Sequence, residues 1–215
     1  MKRKITCFCD HVFEVDVPER IDVDNEPDYF KQIQDGTFFN FPCSGCGKKH
    51  KPEFPISVFW PSKKLQFNVV PELERGEFYR QKKTPEGENS LTLESIVGYP
   101  ELADRLAVIH DGFEPVAIEA IKYFLHLKAE EQYPDEEIDI WYNSCSGKGD
   151  STEGAVTFHV HGIRKNEVAV MNVPIAVYQK TLNDYKNNPK SDTFSSLRIR
   201  SYLSVKNTMR PDAFT

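Results

Sequence analysis

The chain has no apolar run approaching the roughly 20 residues that a helix needs to cross a bilayer, so no membrane-spanning helix is expected. No secretory leader is expected at this N-terminus either. Met1-Lys2-Arg3-Lys4 carries the charge of one, but Ile5 to Val17 is interrupted by Asp10, Glu14 and Asp16. No internal repeat and no low-complexity tract stands out. Positive charge is not in excess: the formal charge of −6 speaks against a protein that coats nucleic acid. A phosphate loop is absent, because Ser144 to Gly149 lacks the G-x-x-x-x-G-K-[ST] spacing. The acidic stretch Asp22 to Asp28 lacks the glycine-centred pattern of a calcium loop. The expectation is a soluble, intracellular and cytoplasmic chain without membrane contact.

Cysteine is scarce but unevenly placed. Four of the five cysteines fall in two short clusters, Cys7-Phe8-Cys9 and Cys43-Ser44-Gly45-Cys46-Gly47. Strand-like residues precede each cluster, Ile5 and Thr6 before the first and Phe38 to Phe41 before the second. Two such turns, each aiming two thiolates at a shared tetrahedral Zn²⁺, are the pattern of paired zinc knuckles. Gly45 and Gly47 suit the second turn, where backbone N–H groups must face the sulfurs and φ > 0 is needed. The first turn has a single residue between its cysteines, one fewer than usual. Four readings stand: Zn²⁺ held by Cys7, Cys9, Cys43 and Cys46; a site that recruits His11 or His50; reduced cysteines without metal; and a redox dithiol at Cys43 and Cys46. Clustered thiols fit a reducing compartment better than a disulfide framework.

Charge is distributed in blocks. Residues 1–70 carry 10 basic and 10 acidic side chains, 71–135 carry 7 and 14, and the remainder 10 and 9. The acidic excess therefore sits in the middle. Lys2, Arg3, Lys4, Lys48, Lys49, Lys51, Lys63 and Lys64 lie near the knuckles or on the following hairpin. They form either a basic face or a solvated edge that discourages sheet-to-sheet aggregation. Phe54, Phe59, Trp60 and Phe67 read as core rather than as a stacking platform for bases.

Along the chain, Val12 to Val17 alternates as a half-buried strand that Pro18 ends. A short helix from Glu26-Pro27 stops at Asp35-Gly36, and Thr37 to Phe41 is expected to return as a strand. Phe54 to Trp60 and Leu65 to Val70 form a hairpin around Pro61-Ser62-Lys63-Lys64. Pro71 to Asn89 reads as a long mobile loop and the best internal boundary. Leu91 to Ile109 and Glu114 to Glu131 read as helices, broken by Asp111-Gly112-Phe113, with Pro115 in the first turn of the second. His110 and His126 read as core or surface histidines, since no carboxylate or cysteine stands at matching spacing.

The arrangement from about Thr6 to about Lys128 resembles the bacterial CpXC-domain family. The likeness rests on the paired cysteine clusters, on Asp35-Gly36-Thr37-Phe38-Phe39-Asn40-Phe41, and on the tract Glu101 to Phe113 with Val116 to Lys122. The family's C-P-x-C is C-F-C in the first cluster and C-S-G-C in the second, so proline is missing from both. The resemblance implies a zinc-ribbon-like domain and transfers no catalytic residue.

Beyond it, Glu137 to Tyr142 starts a second β region, and Ser144 to Gly154 reads as a loop. Ala155 to Gly162 and Glu167 to Val173 alternate as a meander, and Pro174 opens a helix ended by Asn187-Asn188-Pro189. Leu197 to Val205 fits a strand or a helix. Cys145 with His159 and His161 is the one nucleophilic pairing the chain offers, with Asp139, Asn143 or Asp150 to orient the base. A second metal site from these residues is the other use for them. No glycine elbow or oxyanion motif surrounds Cys145.

The expected fold class is α+β: a zinc-ribbon-like antiparallel β N-terminal region, central helices, and a C-terminal antiparallel meander with a helix. Residues 1–131 make the first region and 132–215 the second, separate or packed as one unit. The first functional reading is a non-enzymatic, zinc-stabilised module for a protein partner. A nucleic-acid binder using Lys48, Lys49 and Lys51 follows, then a Cys/His-dependent enzyme.

Overall fold

The alternation at residues 12–17 does what a period of two dictates. In the computed structural model, β1 (Lys2–Thr6) and β2 (Val12–Asp16) pair antiparallel, with Lys2 opposite Asp16 and Lys4 opposite Glu14. Ile5 and Val15 are buried on one face, while those four charged residues are exposed on the other. The structure describes residues 1–82, 87–88, 90–146 and 153–209. Two compact units divide the chain, Met1–Ala103 and Asp104–Thr215.

In the first unit, β3 (Arg20–Asp22) is followed by α1 (Pro27–Gln34), with Pro27 in its first turn. Gly36 at φ 70° ends α1 in the left-handed region open to glycine. A two-residue ladder, β4 (Phe41–Pro42) with β5 (Lys49–His50), makes a second small antiparallel hairpin. Then come β6 (Ile56–Trp60), β7 (Leu65–Val70), α2 (Arg75–Arg80) and β8 (Thr92–Val97). The strands are hydrogen-bonded in the order β3-β6-β7-β8, parallel at β3/β6 and β7/β8 and antiparallel at β6/β7. Phe59, Trp60 and Phe67 are buried and Phe54 is half-buried beside Phe39, so this aromatic set is core.

Three segments of the first unit differ from the sequence expectation, and in the second unit β9 runs on through Ser144 and Cys145, where a loop is expected. Thr37 to Asn40 is a turn rather than a strand. Phe38 and Phe39 are both buried, with ring centroids 3.9 Å apart and both against Tyr99, and Phe39 sits at φ 50°. A strand would send successive side chains to opposite faces, which two adjacent rings bound for one cluster cannot accept. Pro71 to Asn89 is not a plain loop: a short 3₁₀ turn at Glu72–Glu74 leads into α2, whose Phe78 is buried. The pairing of β7 with β8 is the reason, since parallel neighbours require a crossover connection. Residues 83–86 and 89 of that stretch lie outside the described residues. The helix expected from Leu91 begins only at Tyr99, after β8 and Gly98 at φ 84°. Ser95, Ile96 and Val97 are all buried, the consecutive burial of a strand covered on both faces.

The division between units falls within α3 (Tyr99–His110). The second unit continues with α4 (Pro115–Gln132), β9 (Asp139–Cys145), β10 (Ala155–His161), β11 (Ala169–Pro174) and α5 (Ile175–Asn187). It ends with α6 (Asp192–Ser196), β12 (Arg198–Ile199) and β13 (Tyr202–Leu203). Strands β11-β10-β9 form the expected antiparallel meander. Its inner face, with Val156, Phe158 and Val160, packs on Ala117, Ile118 and Ile121 of α4 and on Tyr178 of α5. The undecided segment 197–205 is a tight hairpin with Arg200 at φ 57°. Helices together with antiparallel and mixed sheets make the class α+β.

Buried charge is concentrated under α4. Lys122 Nζ lies 2.5 Å from Asp104 and 2.9 Å from Glu119, and Arg105 lies 3.5 Å from Glu119. Backbone groups complete the cluster: Tyr142 N–H donates to Asp104, Val205 N–H donates to Glu119, and Arg105 donates to the Leu203 carbonyl. Burial favours neutral Glu119, yet Lys122 and Arg105 outweigh it and hold its carboxyl below the usual range. Burial likewise opposes the Lys122 ammonium, but Asp104 and Glu119 hold its pKa above the ordinary value. Asp104, with a smaller share of the positive charge, is pushed up by burial. His126 on α4 is half-buried, and burial pulls it down to about 4 against the opposing carboxylate of Asp139.

Candidate metal centre

Each cysteine pair sits where a hairpin reverses. At the end of β1, Cys7 N–H donates to the His11 carbonyl and Asp10 N–H donates to the Cys7 carbonyl, both at 2.9 Å. Asp10 takes the left-handed position, φ 64°. This is how one spacer residue suffices: the turn is closed through a residue beyond Cys9. After β4, Gly47 N–H donates to the Cys43 carbonyl at 2.8 Å, and Cys43 N–H donates to the Lys48 carbonyl at 2.9 Å. Gly47 has φ 74°, as the sequence implied. Gly45, by contrast, does not take the positive φ expected of it and is favoured by close approach instead. A Cβ there would lie 3.0 Å from His11 Cγ, so the glycine lets the first turn lie close over the second.

The four sulfurs converge. Cys7 Sγ is 3.6 Å from Cys46 Sγ, Cys9 Sγ is 3.8 Å from Cys43 Sγ, and all four lie within 4.8 Å of one another. A tetrahedral ion with metal–sulfur bonds of about 2.3 Å separates its sulfurs by about 3.8 Å. The donor set therefore fits one metal ion. Cys7 and Cys43 are buried, while Cys9 and Cys46 are exposed. Burial opposes ionisation of Cys43, but the backbone N–H groups of Cys46 and Gly45 overcome it and hold the thiol down at about 6; Gly45 N is 3.3 Å from the sulfur. At Cys7 the backbone N–H of Cys9 favours the thiolate, yet burial and the thiols of Cys46, Cys9 and Cys43 push it up to about 12. Thiolates brought this close repel one another, which is the condition a cation relieves.

The two histidines lie outside this set of four. His50 Nε2 is 3.1 Å from Cys7 Sγ, and its ring stacks on Phe8 with centroids 5.8 Å apart. His11 Nε2 is 2.8 Å from Ser44 Oγ, bracing the first turn against the second. Sequence reasoning named both as substitute ligands and missed these supporting positions. It also passed over Asp10, whose residue type, one of the few that tolerates the left-handed region, was the available signal. Phe8 is 83% exposed at the tip of the first turn, with Lys48 Nζ 4.2 Å above its ring.

Lys2 and Lys4 stand opposite Asp16 and Glu14, and Lys51 Nζ donates to the Gly36 carbonyl at 2.8 Å. In the second unit, Cys145 pairs with Val156 and packs against the meander core. His159 and His161 alternate with Phe158 and Val160, so they share the opposite face. The strand thus separates the thiol from both imidazoles. Asp139 stands opposite His161, yet the cysteines are the only cluster of three or more ligand-type side chains among the described residues. Asp150 lies outside the described residues.

A protein of Treponema pallidum (strain Nichols), described as an uncharacterized protein, is 28% identical over 216 residues, covering 95% of this chain and 97% of its own length. No solved structure matches. The family model described as CpXC protein matches residues 5–122, more than half of the chain and all four clustered cysteines. This chain belongs to the CpXC family.

Proposed function

We propose that Cys7, Cys9, Cys43 and Cys46 hold one structural Zn²⁺, and that the chain serves as a zinc-stabilised, non-enzymatic interaction module for a protein partner. The observation that supports this is the pair of sulfur separations, 3.6 and 3.8 Å, between cysteines 39 and 34 residues apart. Bound there, the ion supplies a cross-link between two hairpins. Four thiolates leave no open position for water or substrate, which favours a structural role over a catalytic one. Cysteines clustered in two pairs suit metal binding in a reducing compartment better than a disulfide framework, which supports a cytoplasmic protein. Elemental mass spectrometry of the purified protein should find about one zinc per chain, with a melting temperature that falls on chelation. A metal-free protein whose melting ignores chelator would overturn the reading.

A second reading, nucleic-acid binding through Lys48, Lys49 and Lys51, draws on the exposed Phe8 ring beneath Lys48. It requires binding that weakens steeply with salt and is lost when the three lysines become glutamate. Salt-insensitive binding would remove it.

A further inference from the structure

The first unit contains a cleft of about 390 Å³, within the roughly 300–1,000 Å³ range of small-molecule sites. Its floor is apolar, built on Ile33 and Phe38, with Pro100 and Ala103 of α3 along one wall. Two straps hold the walls before any ligand arrives. Gln34 Nε2 donates to the Ala103 carbonyl at 2.8 Å, joining α1 to α3, and Lys51 Nζ donates to the Gly36 carbonyl at 2.8 Å.

The polar lining is almost entirely committed. Glu53 accepts the Glu72 N–H with one oxygen and the Tyr99 N–H with the other, at 2.5 and 2.7 Å. The Tyr99 hydroxyl exchanges hydrogen bonds with both the amide and the carbonyl of Phe54. Asp35, the carboxylate next to Lys51 in charge terms, is turned to the Thr37 amide and hydroxyl. Lys51 differs. Its ammonium has three donors and gives one to Gly36, so of the two charged side chains in the lining it alone has hydrogen bonds to offer.

We propose that this cleft binds a small apolar carboxylate, with its hydrocarbon part on Ile33, Phe38 and Ala103 and its carboxylate on the Lys51 ammonium. One cation with a carboxylate in the same lining suits a single negative charge rather than a phosphate dianion. The inference goes beyond the metal reading and does not depend on it.

The test is a titration of the ¹⁵N-labelled full chain with octanoate, followed by amide shifts, with octan-1-ol as the uncharged control. Octanoate should give saturable shifts at Gly36, Lys51 and Ala103, and octan-1-ol should bind at least tenfold more weakly. Lys51→Met, which keeps the stem and removes the charge at an exposed position, should weaken octanoate at least tenfold. Ala103→Trp, which fills the cleft, should abolish the shifts. Shifts that fail to saturate, map elsewhere, or persist unchanged in Lys51→Met would overturn the proposal. Because the titration reads the cleft directly, such a failure would leave the zinc assignment standing.

Discussion

The N-terminal hairpins and the C-terminal meander are both antiparallel β structures, yet they gain cohesion in opposite ways. The hairpins are short, and their convergence point is four sulfurs, two of them exposed. The meander buries a continuous apolar face, with Val156, Phe158 and Val160 fully inaccessible under α4 and α5. Beside that core, α4 also buries two carboxylates and two cations that pair with one another and with backbone groups. A two-residue ladder such as β4/β5 buries little surface to offset the entropy of ordering its loop, which is why the proposed metal ion would matter there as a cross-link. The meander supplies its own.

The largest effect should come from removing that cross-link. Cys43→Ser, like chelation, is expected to release the metal and strip hydrogen-exchange protection from the β1/β2 and β4/β5 hairpins while β9, β10 and β11 keep theirs. Structural zinc contributes about 10–16 kcal/mol in small peptides near neutral pH, so a local loss should be evident. Equal loss of protection in the meander would break the comparison.

Next is Lys122→Met, which leaves Asp104 and Glu119 buried without their shared cation. A loss of about 3–5 kcal/mol is expected by urea denaturation, with metal content unchanged. A change under about 1 kcal/mol would mean that the charge cluster is not what holds α4.

The pH dependence should be smaller and signed. Glu119 is held below its ordinary value of 4.5, so its contribution is complete above that pH and is lost as pH falls through the depressed value. Asp104, pushed up from 3.8, works the other way, gaining for the folded state as it takes up a proton. Glu119→Gln should therefore flatten the fall in stability below pH 4.5, measured by urea titrations at several pH values. An unchanged acid slope would contradict the assignment. Lys122, raised above 10.5, should hold its contribution up to that pH and lose it only as pH rises further.

The smallest effect is expected for Asp10→Gly in the first cysteine turn. Relief of the left-handed backbone and the extra chain entropy of glycine nearly cancel, leaving a change within about 1 kcal/mol and no loss of metal. A larger destabilisation would show that the Asp10 side chain, and not only its backbone, shapes the turn.

Much of the local structure was legible from patterns of short range. The β2 alternation, the Pro27 start and Gly36 stop of α1, the α4 face and the β10/β11 alternation all follow from period and punctuation. The errors share a cause. At Phe38-Phe39, at 71–89 and at 92–97, the decisive fact was a contact far away in sequence: the Tyr99 ring, or the pairing of β7 with β8. For the site, cysteine spacing announced two turns with two thiols each. It did not announce that His11 and His50 would support those turns, because a ligand and a buttress have the same residue type and the same offset.

What the sequence determined by itself, then, was chemistry and period: four thiols in two tight turns, an acidic middle, and elements whose apolar faces had to be buried. Family membership was legible there too, since the cysteine clusters and the tract that follows them are local text. Only the tertiary structure decided that the sulfurs meet at 3.6 and 3.8 Å, that Cys145 and the two histidines occupy opposite faces of one sheet, and that Lys51 stands at the mouth of a cleft. The physical reason is that a side chain's chemistry is set by its own atoms. Its neighbours are set by strand register and packing, and these belong to the whole fold.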